Sequence, residues 1–142
     1  MQNQIEHVIN QLQQVKPDEY GDCVDQLNHV LAGFSKLPDK ELAVPAMLAL
    51  IERYPDADMG SPGPLVHEME GISGYEGHLE ESLTRAPTAL TCWMANRLLN
   101  AQQEGSRQRW LQALQRVANN PSAPQSAQAE AREFLRFQGA PG

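Results

Sequence analysis

This sequence predicts an all-α fold of about eight short helices, and three observations carry the prediction. Apolar residues recur at three- and four-residue spacing along nearly the whole chain, strand-like alternation is nearly absent, and proline or glycine breaks the pattern at short intervals. With 142 residues the chain can bury a sizeable core as one domain without disulfides or metals. The expected domain runs over residues 1–138, with a frayed tail from 139 to 142.

In the first segment Ile5, Val8, Ile9, Leu12 and Val15 form one apolar stripe, and Lys16-Pro17 ends it. A second helix is expected to carry Tyr20, Cys23, Val24, Leu27, Leu31 and Phe34 on its inner face, with Asp22, Asp25 and His29 outside. Gly33 and Pro38 bracket the next turn. A third helix runs through Leu42, Met47, Leu48 and Ile51 to Tyr54. An interior proline removes a hydrogen bond and kinks the helix, so a short turn is expected before Pro45 and then the main helix, with Pro45 in its first turn.

Residues 54–64 form a proline- and glycine-rich loop, in which Ser61 and Pro62 read as N-cap and first helical residue of a short helix through Leu65, Val66 and Met69. Ser73 and Glu76 have the spacing of a capping box and open a helix with Tyr75, Leu79 and Leu83 inward. Pro87 starts the next, with Leu90, Trp93, Met94 and Leu98 inward. Gly105-Ser106 breaks the chain before Trp110, Leu111, Leu114 and Val117, and Asn119-Asn120-Pro121 breaks it again. Ser122 and Gln125 are spaced to cap a last helix carrying Ala127, Ala131, Phe134 and Leu135. Each helix offers a single stripe, so neighbours must stack, and antiparallel pairs in a HEAT- or armadillo-like α-solenoid fit the layout. The units share no clear sequence period, which leaves a compact irregular bundle as the alternative.

The net charge of −7 is unevenly distributed: residues 1–51 carry −4, residues 52–81 carry −7, and residues 82–142 carry +4. This sign argues against nucleic acid as the main ligand, since phosphate binding needs a basic groove. Met1 to Val15 lack the basic start and continuous apolar run of a signal peptide, and no stretch is long enough to cross a bilayer. A cytoplasmic protein without a membrane partner is expected. Cys23 and Cys92 lie beside large apolar residues and outside any CxxC pair, so they read as buried, reduced thiols.

Several residues could carry chemistry. His67 and Glu70, three apart, could converge on one helix face and join Asp56 and Asp58 as divalent-metal ligands of a hydrolase, while Glu68 points elsewhere. A solvated acidic edge explains the same residues without a metal, and no cofactor is expected. No strained nucleophile elbow occurs, and Gly60-Ser61-Pro62-Gly63 lacks the lysine and preceding strand of a phosphate loop. Trp93 and Trp110 could serve as interface anchors, since tryptophan is enriched at binding hot spots, but their helical spacing favours core packing. Arg97 is positioned to pair with an acid of a neighbouring hairpin.

The acidic run comprises Glu52, Asp56, Asp58, Glu68, Glu70, Glu76, Glu80 and Glu81, eight acids against one base within residues 52–81. That imbalance exceeds what solubility requires, because surfaces ordinarily mix both signs. A carboxylate-rich face on a rigid scaffold attracts and orients a basic protein. These eight residues, with Tyr75, form the candidate partner-binding set. A general peptide-binding adaptor is another reading of the same scaffold.

Residues 42–120 also resemble a known family. The resemblance lies in the turn Tyr54-Pro55-Asp56-Ala57-Asp58-Met59-Gly60-Ser61-Pro62-Gly63-Pro64-Leu65-Val66-His67, then Tyr75 and Leu79, the stretch Ser82-Leu83-Thr84-Arg85-Ala86-Pro87-Thr88, and Trp93-Met94-Ala95-Asn96-Arg97-Leu98-Leu99-Asn100. Together they are similar to the HEAT-like all-α immunity proteins of bacterial polymorphic-toxin and contact-dependent inhibition systems. The resemblance implies a small cytosolic binder without enzymatic activity that plugs the active site of a cognate toxin, often a nuclease. It carries over no catalytic residue.

Overall fold

The apolar stripes become eight α-helices in the computed structural model, which describes residues 4–101 and 105–140. They are α1 (Gln4–Gln14), α2 (Val24–Val30), α3 (Val44–Arg53), α4 (Gly63–Glu70), α5 (Tyr75–Arg85), α6 (Ala89–Asn100), α7 (Arg107–Ala118) and α8 (Gln125–Phe137). Two 3-10 turns, Phe34–Lys36 and Lys40–Ala43, lie between α2 and α3. There is no strand among the described residues; one isolated parallel bridge joins Asp22 to Asp58. The fold is all-α. The backbone groups into two compact units, Met1–His78 and Leu79–Gly142, with the division inside α5, a finer partition than the single domain expected over residues 1–138.

In the first unit α1 buries Ile5, Val8 and Leu12 and packs on α3, which buries Val44, Met47, Leu48, Leu50 and Ile51. The Arg53 guanidinium on α3 donates to the Leu12 carbonyl at 3.1 Å, beside the longer bond at 3.4 Å from the Val15 N–H that closes α1. Pro45 sits in the first turn of α3, where its missing N–H costs nothing. α2 packs on α4, so the heaviest packing here joins alternate helices, α1 with α3 and α2 with α4.

The second helix is shorter than its apolar pattern predicts. Tyr20, expected on the inner face, is 84% exposed. The Asp18 carboxylate accepts from the N–H groups of Tyr20 and Asp22, and the Asp22 carboxylate accepts from that of Val24. Such local side-chain acceptors compete with helical hydrogen bonds. At the other end Gly33 is left-handed, and Phe34 reaches the core from a 3-10 turn. The short turn expected before Pro45 is the second 3-10 turn, Lys40–Ala43, in which Leu42 is exposed. α4 begins one turn-residue later than expected, at Gly63, with Pro62 at the cap position and no side-chain cap from Ser61. α5 opens at Tyr75 behind the left-handed Gly74, so Ser73 lies one residue before the cap position that the expected capping box requires.

In the second unit α6, α7 and α8 pack on one another. α7 contributes Trp110, Ala113, Leu114 and Val117 to the core, and α8 contributes Ala127, Ala131 and Leu135. The small side chains let α8 approach closely enough for the Cys92 thiol to donate to the Ala127 carbonyl at 3.7 Å. α6 starts at Ala89 rather than Pro87, with a reciprocal cap. The Thr88 hydroxyl accepts from the Thr91 N–H at 3.1 Å, and the Thr91 hydroxyl accepts from the Thr88 N–H at 3.0 Å. Both threonines are buried, so a lost partner cannot be replaced by water. Thr88→Ala is therefore expected to cost about 1–2 kcal/mol, while Thr88→Ser keeps most of it. Thermal melts of the two variants check this, and equal midpoints for alanine and serine would contradict the cap.

α8 follows Pro124 without a side-chain cap, and the Ser122 N–H instead donates to the Asn120 carboxamide oxygen at 2.9 Å. The Arg132 guanidinium donates to the Ala118 carbonyl at 2.9 Å and so closes the end of α7. The frayed tail expected from Gly139 is corrected at its first two residues. Gly139 takes φ 75°, its N–H donates to Arg136, and the Ala140 N–H donates to Leu135, which together form a Schellman close of α8. The remainder of that tail, 141–142, lies outside the described residues.

Candidate functional site

The nine sequence-predicted binding residues do not share one environment. Asp56, Asp58 and Glu81 are exposed, and Glu52, Glu68, Glu70, Glu76 and Glu80 are half-buried. Tyr75 is 6% exposed and belongs to the core, so its inclusion in a contact surface is corrected. Its position follows from the stripe it shares with Leu79 and Leu83, both buried.

Glu80 is also spoken for within the second unit. Its Oε1 accepts from Arg109 Nε at 3.1 Å and Nη2 at 3.0 Å, and its Oε2 lies 3.7 Å from Arg116 Nη2. Two guanidiniums from α7 thus neutralise one carboxylate from α5, a strut worth at most about 1 kcal/mol at this exposure. Asp58 is built into the backbone. Its N–H donates to Gly21 at 2.7 Å, its carbonyl accepts from Cys23 at 2.9 Å, and its carboxylate accepts from the Gly60 N–H at 2.8 Å.

Charge separates sharply between the units. The first carries thirteen acids and four bases, net −9, and the second five acids and seven arginines, net +2. The arginines do not form an open basic face. Arg107 donates to Gln138, Arg132 to Ala118 and Arg136 to Glu133, while Arg109 and Arg116 meet Glu80. Arg97 lies over the ring of Trp93, 5.0 Å from its centroid, and Trp93 is half-buried where the sequence predicts core. Trp110 is in the core as expected.

Asp56, Asp58, His67 and Glu70 do not assemble into a metal centre: no group of three or more His, Cys, Asp or Glu side chains gathers for a metal among the described residues. Asp58 is turned onto Gly60 and tied to Gly21 and Cys23, and His67 faces a groove instead.

That groove, of about 520 Å³, lies between α2 and α4. Leu31, Ala32, Pro62 and Pro64 give it apolar walls, and Asn28, His67 and Glu68 bring polar groups to it. Sequence reasoning did not find it, because its two sides come from residues thirty positions apart, which only the α2–α4 packing brings together. The nearest signal is the Pro62-Gly63-Pro64 run, which presents rigid apolar rings without long side chains.

Both cysteines are free and buried. Burial pushes the Cys92 thiol from its ordinary 9.0 up to about 12, with the Glu130 charge adding to the effect. Burial likewise raises Cys23, helped by Asp22, Asp18 and Asp58. Raised thiol values mean that the native state holds its proton after the unfolded state has released it. Stability from this source is complete below about pH 9 and falls as pH rises toward 12. Urea midpoints measured between pH 8 and 11 are expected to fall, and to fall less in Cys92→Ala; parallel profiles for the two proteins would refute the assignment.

Comparison of the chain with protein-family models, with curated proteins and with solved structures returns no match.

Proposed function

We propose that this chain is an immunity protein, a non-enzymatic helical binder whose acidic first unit covers the basic surface of a cognate bacterial toxin and blocks its active site. The observation that carries this reading is the concentration of thirteen acids against four bases in residues 1–78. A field of that sign speeds encounter with a basic protein and orients it on arrival. Toxins that cleave nucleic acids are basic partners of this kind, because their substrate is a polyanion. The resemblance of residues 42–120 to HEAT-like immunity proteins supplies the toxin as the partner and the cytoplasm as the place of action.

The contacting residues on this reading are the exposed and half-buried candidate acids of the first unit, Glu52, Asp56, Asp58, Glu68, Glu70 and Glu76, while Glu81 belongs to the second unit. Glu80 serves as an internal control because Arg109 and Arg116 already hold it. The test is co-expression with the product of the neighbouring reading frame, followed by stopped-flow association. A complex is expected whose association rate falls steeply with salt. Combining Asp56→Asn, Glu68→Gln and Glu76→Gln should slow association by roughly tenfold at low ionic strength, while Glu80→Gln leaves it nearly unchanged. A neighbouring product with no toxin activity, or an association rate indifferent to both salt and substitutions, overturns the proposal.

A further inference from the structure

Resting on that binding reading, we infer that the groove between α2 and α4 is the seat of an arginine side chain from the basic partner. Its volume of about 520 Å³ is ample for a single side chain laid into an open groove. Leu31, Ala32, Pro62 and Pro64 offer the apolar surface that an aliphatic stem requires, and Glu68 stands at the same groove with a carboxylate for the cationic head. The Asn28 carboxamide adds an acceptor for a second N–H of the guanidinium fork.

Charge complementarity fixes the sign of the occupant. No lysine or arginine of the chain lines this groove among the described residues, and the unit that contains it carries −9. An acidic segment would meet Glu68 and the surrounding field, and a purely apolar one would leave the Glu68 carboxylate and the Asn28 amide facing a partner that cannot answer them. Gly63 lines the groove without a side chain to fill it. An arginine carries an apolar stem and a planar five-donor head in one side chain, which matches both the walls and the polar end.

The test uses the isotope-labelled full chain titrated with a short capped peptide, neutral except for one central arginine, and in parallel with the same peptide carrying citrulline, which keeps the shape and loses the charge. Amide shifts are expected to centre on Asn28, Ala32, Gly63 and Glu68, with apparent affinity roughly tenfold weaker in Glu68→Gln and lost in Ala32→Trp, which fills the groove from an exposed position. Native amide dispersion of both variants confirms that they fold. Shifts centred on other acids, equal saturation by the citrulline peptide, no shifts, or shifts that follow protein concentration alone each overturn the groove assignment. The peptide assay needs no toxin, so it can fail while salt-dependent toxin binding stands, and it can succeed in a chain whose neighbour proves not to be a toxin.

Discussion

Trp110→Ala is expected to destabilise the second unit by about 3–5 kcal/mol, a large share of the stability of a small domain. Trp110 is 1% exposed and is the largest fully buried side chain in the protein's described residues. It sits in the first half of α7, the helix that packs on both α6 and α8. Its removal leaves a void on the buried face of α7, and a close-packed core relaxes only partly into such a space. Urea unfolding followed by far-ultraviolet circular dichroism checks the prediction. Trp93, half-buried under Arg97, then remains as the single indole and reports the unit's unfolding by fluorescence. A loss below about 1 kcal/mol would show that the helices collapse into the space, and would contradict the core described for this unit.

The helices were legible because each needs only a local pattern. Ile5, Val8 and Leu12 announce α1, and Trp110, Leu114 and Val117 announce α7, since a stripe at 3.6-residue spacing has one way to bury itself. The failures occur where a polar side chain offers the backbone another partner. Asp18 and Asp22 capture the N–H groups that would have started a longer second helix, and Tyr20 is carried to the surface with them. The reciprocal pair Thr88 and Thr91 escaped notice because the usual capping signal has a glutamate or glutamine at the third helical position.

The candidate site was legible only as charge. Counting acids locates them along the chain, but not the guanidiniums that reach them: Glu80 and Glu81 look alike in sequence, yet Arg109 and Arg116 from α7 close on Glu80. Pairing across about thirty residues is a property of packing, invisible to spacing rules. For the same reason His67 and Glu70, adjacent on α4, suggested a metal pair that the loop carrying Asp56 and Asp58 does not complete. The groove was hidden because its two walls meet only through the packing of α2 on α4.

The start of α4 at Gly63 makes Gly60 the most demanding position in the first unit, and Gly60→Ala is expected to cost about 2–4 kcal/mol. Gly60 has φ 99°, a conformation that L side chains rarely adopt, and a methyl group built on it would lie 2.3 Å from the Gly63 Cα and 3.0 Å from the Gly63 nitrogen. Both are backbone atoms, so no rotamer change can relieve the contact, and the loop itself must open. Opening pulls against the Gly60 N–H held by Asp58 and against Met59, which is buried beside it. Gly63 supplies the control within the same loop. It too is left-handed, at φ 79°, but its methyl group would meet nothing within 4 Å, so Gly63→Ala should cost only about 1 kcal/mol for the backbone conformation. Unfolding midpoints of the two variants measured side by side separate steric collision from conformational preference, and equal losses would show that the close approach of residues 60 and 63 does not constrain the loop. Because Pro62 and Pro64 form one wall of the α2–α4 groove, the Gly60 variant should also weaken capture of the arginine peptide under conditions where it remains folded.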